Sequence, residues 1–135
     1  NDVNNESLED QQFQNALSNY KQGLFTDARE GFLSFINSFP YSDRVSEAFY
    51  FLADCEHQLG GWKEAAEAYL SSFSGDPSGQ YSVKALFGLG VSLGALEKIE
   101  QACLTLREIN LRYPGQTDIN TQDYQDAAKL FSCDE

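Results

Sequence analysis

Gln22-Gly23-Leu24-Phe25-Thr26-Asp27-Ala28 and Leu59-Gly60-Gly61-Trp62-Lys63-Glu64-Ala65 are two copies of one pattern. In each a glycine precedes a large ring by two positions, and an alanine follows that ring by three. The copies lie 37 residues apart, and Ile99 and Ala102 continue them by the same interval. Pro40, Pro77 and Pro114 keep that spacing. So do Phe32, Tyr69 and Leu106; Phe13, Tyr50 and Phe87; and Ala16, Ala53 and Gly90. Six columns in one register mark a repeat, and a period of this length means stacked supersecondary units.

Each unit reads as two helices. Phe49, Leu52 and Ala53, then Leu86, Leu89 and Gly90, form one stripe at helical spacing. Gly23 and Gly60-Gly61 end the first helix, because glycine takes the left-handed conformation cheaply. The second helix carries Ala28, Phe32 and Phe35, or their equivalents, and proline closes the unit. The small columns let antiparallel helices approach, and the large ones fill the space beside them. One hairpin cannot bury its own stripe, so the units must stack. The expected helices span about 8–22, 26–39, 44–59, 62–73, 80–95, 98–112 and 120–132. The fold class is therefore all-α: a solenoid of three helical hairpins, at about 8–42, 43–79 and 80–116, with a C-terminal capping helix at about 120–132. Residues 1–7 read as a disordered or linker N-terminus. Tyr124, Ala127, Ala128 and Phe131 read as a half-repeat that covers the third hairpin.

A chain of 135 residues can bury a real core without staples. The hydrophobic share of 41% is that of a folded chain. The net charge of −12 opposes nucleic acid and anionic membrane surfaces as partners. It serves solubility, or it steers a basic partner. No apolar run reaches the roughly 20 residues of a membrane span, so no direct membrane insertion is expected. The chain starts at Asn1 rather than Met, as a processed or trimmed chain does. No CxxC and no Cys/His cluster occurs, so neither a metal site nor a cofactor is expected.

The pattern of turn glycine, aromatic, alanine, aromatic and closing proline resembles the tetratricopeptide repeat. The three residues beyond its usual period lie after each proline, as in Pro40-Tyr41-Ser42-Asp43-Arg44-Val45. That linker, with Phe32-Leu33-Ser34-Phe35-Ile36-Asn37-Ser38-Phe39-Pro40-Tyr41-Ser42 and Arg112-Tyr113-Pro114-Gly115, resembles the YbgF/CpoB family of Tol–Pal accessory proteins over about residues 11–132. Cys103, in Gln101-Ala102-Cys103-Leu104-Thr105-Leu106, and Cys133 look like the alphaproteobacterial type. The third unit departs at Glu97, where a turn glycine is usual, and the second at Ser72, where a larger residue is usual. The resemblance implies a periplasmic protein that coordinates outer-membrane constriction with septal peptidoglycan synthesis during cell division. It implies TolA and the peptidoglycan synthase machinery as protein partners. It also implies trimerisation through an N-terminal coiled coil absent from this sequence.

In such stacks the first helix of each hairpin lines the inner face. The stripe there is Phe13, Leu17 and Tyr20; Tyr50, Asp54 and His57; and Phe87, Val91 and Gly94. Phe13, Tyr50 and Phe87 anchor a partner segment or simply pack against neighbouring helices. Asp54 and Glu47 meet a basic ligand residue or stand as solvated charges. His57 has no partner placed by a motif, so no catalytic residue is assigned. Cys103 near the start of the sixth helix and Cys133 near the end of the seventh fall at adjacent ends of an antiparallel pair. They form a disulfide that pins the cap, or they remain two thiols. Cys55 is expected to be free and partly buried. Three readings compete: a non-catalytic interaction module of the envelope, a BamD-like assembly scaffold or general tetratricopeptide adaptor, and an enzyme with Cys55 or Cys103 as nucleophile.

Overall fold

The computed structural model describes residues 7–133; of the expected linker at residues 1–7, only Ser7 falls within them, as the cap of α1. Among the described residues there are seven helices and no strand. They are α1 (Leu8–Lys21), α2 (Phe25–Ser38), α3 (Val45–Gln58), α4 (Trp62–Gly75), α5 (Ser82–Ala95), α6 (Ile99–Arg112) and α7 (Thr121–Leu130). Each of the first three pairs is an antiparallel hairpin, and the hairpins stack in sequence. This is the all-α, tetratricopeptide-type solenoid that the repeat requires.

Local chemistry sets the boundaries. Ser7 caps α1 by accepting the Asp10 backbone N–H at 3.1 Å, and Asn120 caps α7 at Asp123 in the same way. α2, α4 and α6 each stop two residues before a proline, whose ring disfavours helical backbone in the residue ahead of it. Gly23 and Gly60 turn the first two hairpins at φ +79° and +82°. Glu97 makes the third turn at φ +64°. The turn therefore keeps its shape without glycine, at a cost of about 1–2 kcal/mol.

Two clusters of buried residues share the core. The first joins Phe13, Phe32 and Phe35 to Phe51, Leu52 and Tyr69. Its rings meet edge-on or stacked, as Phe32 does on Phe51 at 5.6 Å between centroids. The second collects Val83, Leu86, Leu106, Ile109 and Phe131. Small residues at the crossings set the distance between helices. At Gly90 an added Cβ would stand 2.9 Å from the Leu106 side chain. Ser72, expected to be a misfit, is buried and satisfied: its hydroxyl donates to the Ser46 carbonyl at 2.7 Å.

The cap does not continue the stack. On α3, Ala48, Phe51, Leu52 and Cys55 are buried, and Phe51 packs on the preceding hairpin. The equivalent positions of α7 are Gln122, Gln125, Asp126 and Lys129, all exposed. α7 instead turns Ala127 and Phe131 inward. Its Tyr124 hydroxyl donates to the Leu106 carbonyl at 2.9 Å. The Phe131 ring lies against Gly94, where a Cβ would come within 2.1 Å of it. Just beyond the helix, Cys133 is bonded to Cys103 of α6, with the Cα atoms 5.5 Å apart.

Candidate functional site

The sequence places one carboxylate, Asp54, in the middle of the inner stripe, and the fold brings two tyrosines to it. The Tyr20 hydroxyl of α1 donates to Asp54 Oδ2, and the Tyr69 hydroxyl of α4 donates to Oδ1 at 2.6 Å. One side chain of α3 thus ties together the first two hairpins. Burial is the main cause that raises both phenol pKa values far above 10, and the adjacent carboxylate adds to it. Tyr50 is raised for the same two reasons, with Tyr81 contributing.

Beside this knot runs a groove of about 370 Å³. One wall is α3, through Tyr50, Asp54 and His57; the other is α5, through Lys84, Phe87, Gly88 and Val91. Tyr69, only 3% exposed, forms the floor. An added Cβ at Gly88 would stand 2.5 Å from the Tyr69 ring, so glycine is what lets the floor seat there. Ile119, from the linker before α7, closes the rim. His57 stands edge-on to Trp62 at 4.8 Å, and its buried Nδ1 has no hydrogen-bond partner.

The expected stripe divides once placed in three dimensions. Tyr50, Asp54, His57, Phe87 and Val91 line the groove together. Leu17 and Tyr20 are half-buried, pack on the first core cluster and do not line the groove, although the Tyr20 hydroxyl reaches Asp54 in its wall. Phe13 is 0% exposed and is a core residue, not a docking anchor. The rings of Phe32 and Phe35 surround it, and the Arg44 guanidinium covers its face at 3.8 Å. Arg44, Tyr81 and Asp118 hold one repeat position. In the second hairpin Tyr81 stacks on Tyr50 at 4.7 Å. Asp118 has no ring or guanidinium with which to cover Phe87, the third member of the column. Gly94 is also withdrawn from the inner wall, because Phe131 occupies its place. Glu47 points elsewhere: it pairs with Arg44 at 3.4 Å and faces a separate crevice with Asp43, Asp76 and Tyr81.

Sequence reasoning passed over Tyr69, Lys84, Gly88 and Ile119. In the sequence Tyr69 stands only in a core column. For Lys84 a signal existed: Asp10, Glu47 and Lys84 share a column, and the charge reverses in the third unit alone. The cysteines offer no activated thiol. Cys103 is bonded to Cys133, and Cys55 is buried, with its thiol pushed up to about 12 by burial and by Asp54 and Glu56. No group of three His, Cys, Asp or Glu side chains able to hold a metal ion occurs among the described residues. No described helix is long and apolar enough to cross a membrane.

Comparison with known proteins supports this fold. The family model for the tetratricopeptide repeat matches residues 84–115, which is the third hairpin. Among solved structures, the type III secretion chaperone SycD of Yersinia enterocolitica, in complex with a peptide of the translocator YopD, superposes with a TM-score of 0.79. The match covers 98% of this chain and 97% of that one at 17% sequence identity, a likeness of fold. No curated protein matches the sequence.

Proposed function

We propose that this tetratricopeptide-type solenoid is a protein-interaction module that holds a segment of a partner in the groove between α3 and α5. One observation carries the reading. The groove is lined by half-buried aromatic and aliphatic side chains that keep one face toward it, and the repeat position that lays Arg44 over Phe13 and Tyr81 on Tyr50 holds only Asp118 after Phe87. Concave apolar surface with a few polar groups is the usual form of a recognition site. The SycD structure offers a parallel, since a chain of the same fold was solved there with a peptide of another protein. The state of the thiols favours binding over nucleophilic chemistry.

The finer reading rests on the sequence. The repeat linker and the cysteine pair resemble the periplasmic YbgF/CpoB proteins, so the module would act in the periplasm on the Tol–Pal system. It would contact TolA and the peptidoglycan synthase machinery and couple outer-membrane constriction to septal wall synthesis. A disulfide between Cys103 and Cys133 suits an oxidising compartment. The test is recovery of partners from envelope extract by the wild-type domain and by Tyr50→Ala and Phe87→Ala. Loss of the same partners in both variants is expected. Undiminished recovery by both would remove the groove from the interaction.

A further inference from the structure

Resting on the groove reading, we infer that the preferred occupant is an extended protein segment in which an acidic side chain precedes or follows an apolar one with a single residue between them. The net charge of −12 points the other way, toward a basic partner, so the local chemistry has to decide.

Among the described residues Asp54 is the only carboxylate on the groove walls, and both of its oxygens already accept tyrosine hydroxyls. It serves as a structural tie, and a basic ligand residue would have to compete with two buried phenols for it. Lys84 is the only fixed cation on the walls among the described residues. It is exposed, its ammonium lies 6.0 Å from the Tyr81 ring centroid, and no carboxylate pairs with it among the described residues. Its column reverses charge in the one helix that forms this wall, from Asp10 and Glu47 to Lys84. The groove therefore offers an unpaired donor at one end and apolar surface at the other. That surface is Phe87 and Val91, while Tyr50, stacked on Tyr81, lies at the Lys84 end.

Spacing follows from helix geometry. Lys84 and the Phe87–Val91 surface lie one to two turns apart, about 5–10 Å along the axis. In an extended segment, alternate side chains share a face and lie about 6.6–6.8 Å apart. An acid and an apolar residue at positions i and i+2 match that span, in either order. At physiological salt the screening length is about 8 Å, so repulsion from the more distant carboxylates is damped where contact with Lys84 is not.

The test is selection from a random peptide display library against the wild-type domain, Lys84→Gln, Lys84→Arg and the double variant Tyr50→Ala/Phe87→Ala, at physiological salt. The wild type should enrich acid-x-apolar or apolar-x-acid segments at least threefold over the library. Lys84→Gln should lose the acid preference and keep the apolar one, and Lys84→Arg should restore it. Circular dichroism checks that each variant is folded. Enrichment of Lys or Arg, or an acid preference unchanged in Lys84→Gln, overturns the inference and leaves the groove reading standing. Enrichment of acids only at the free chain terminus overturns it too, because the carboxylate is then the wrong one. If peptides enrich equally on the double variant, the groove reading itself fails.

Discussion

The first two hairpins and the third solve the same packing problem with different materials. The first cluster is built of rings: Phe13, Phe32, Phe35 and Phe51 pack edge-on and stacked, and Asp54 ties Tyr20 to Tyr69 at their border. The second cluster is mostly aliphatic, with Phe131 its one buried ring, and its α5 carries three glycines, Gly88, Gly90 and Gly94. Glycine weakens a helix by roughly 0.8–1.0 kcal/mol relative to alanine. Here each one makes room for a side chain from another helix: Tyr69, Leu106 or Phe131. A covalent bond between Cys103 and Cys133 then secures the cap. The lesson is that a register of columns fixes where helices go but leaves open whether bulk, hydrogen bonds or a cross-link holds them.

Alkaline pH should break the first region most completely. Tyr20, Tyr50 and Tyr69 are held above 10 in the fold, whereas the unfolded chain ionises near 10. Their stabilising contribution is full below pH 10, and it falls as pH rises beyond that, because the unfolded state then releases protons that the folded state keeps. In a variant whose other four tyrosines are replaced by phenylalanine, tyrosinate absorbance and helical circular dichroism should therefore change together above pH 10. Tyrosinate appearing with the helices intact would show the hydroxyls to be free.

A cavity is the next largest insult. Phe32→Ala removes a fully buried ring between Phe13 and Phe51, and should cost about 3–5 kcal/mol in a urea titration. A loss under 1 kcal/mol would mean that the rings repack around the hole. In the second region the matching experiment is Cys103→Ser. Opening a bridge of sequence separation 30 should cost about 3–4 kcal/mol on the loop-entropy estimate. Hydrogen exchange should quicken in α7 and leave α1–α4 as they were; uniform quickening would make the cap part of one cooperative unit. Gly94→Ala should have the smallest effect, about 1–2 kcal/mol after the gain in helix propensity is set against displacement of the Phe131 ring. Greater stability in that variant would show that the ring moves aside freely.

Much of this was legible in the repeat. The proline and glycine punctuation, the small columns and the large ones place all the described helices within a few residues, because each depends on nearby backbone chemistry. The site was less legible. Phe13, Tyr50 and Phe87 look equivalent in sequence, yet Phe13 is fully buried under Arg44 while Tyr50, stacked on Tyr81, and Phe87 are half-buried. Asp54 reads as a ligand-facing charge until the hydroxyls of Tyr20 and Tyr69 arrive from other helices. The orientation of α7 follows from a polar stacking side that the inward-facing column conceals.

That polar side has a twin. At the same repeat positions α1 carries Gln11, Gln14, Asn15 and Ser18, all exposed where α3 buries Ala48, Phe51, Leu52 and Cys55. A neighbouring copy that tried to extend the solenoid at either extremity would have to strip water from amides and charges without compensation. The two outermost described helices thus set polar side chains where the inner helices bury apolar ones, which opposes head-to-tail growth into fibres.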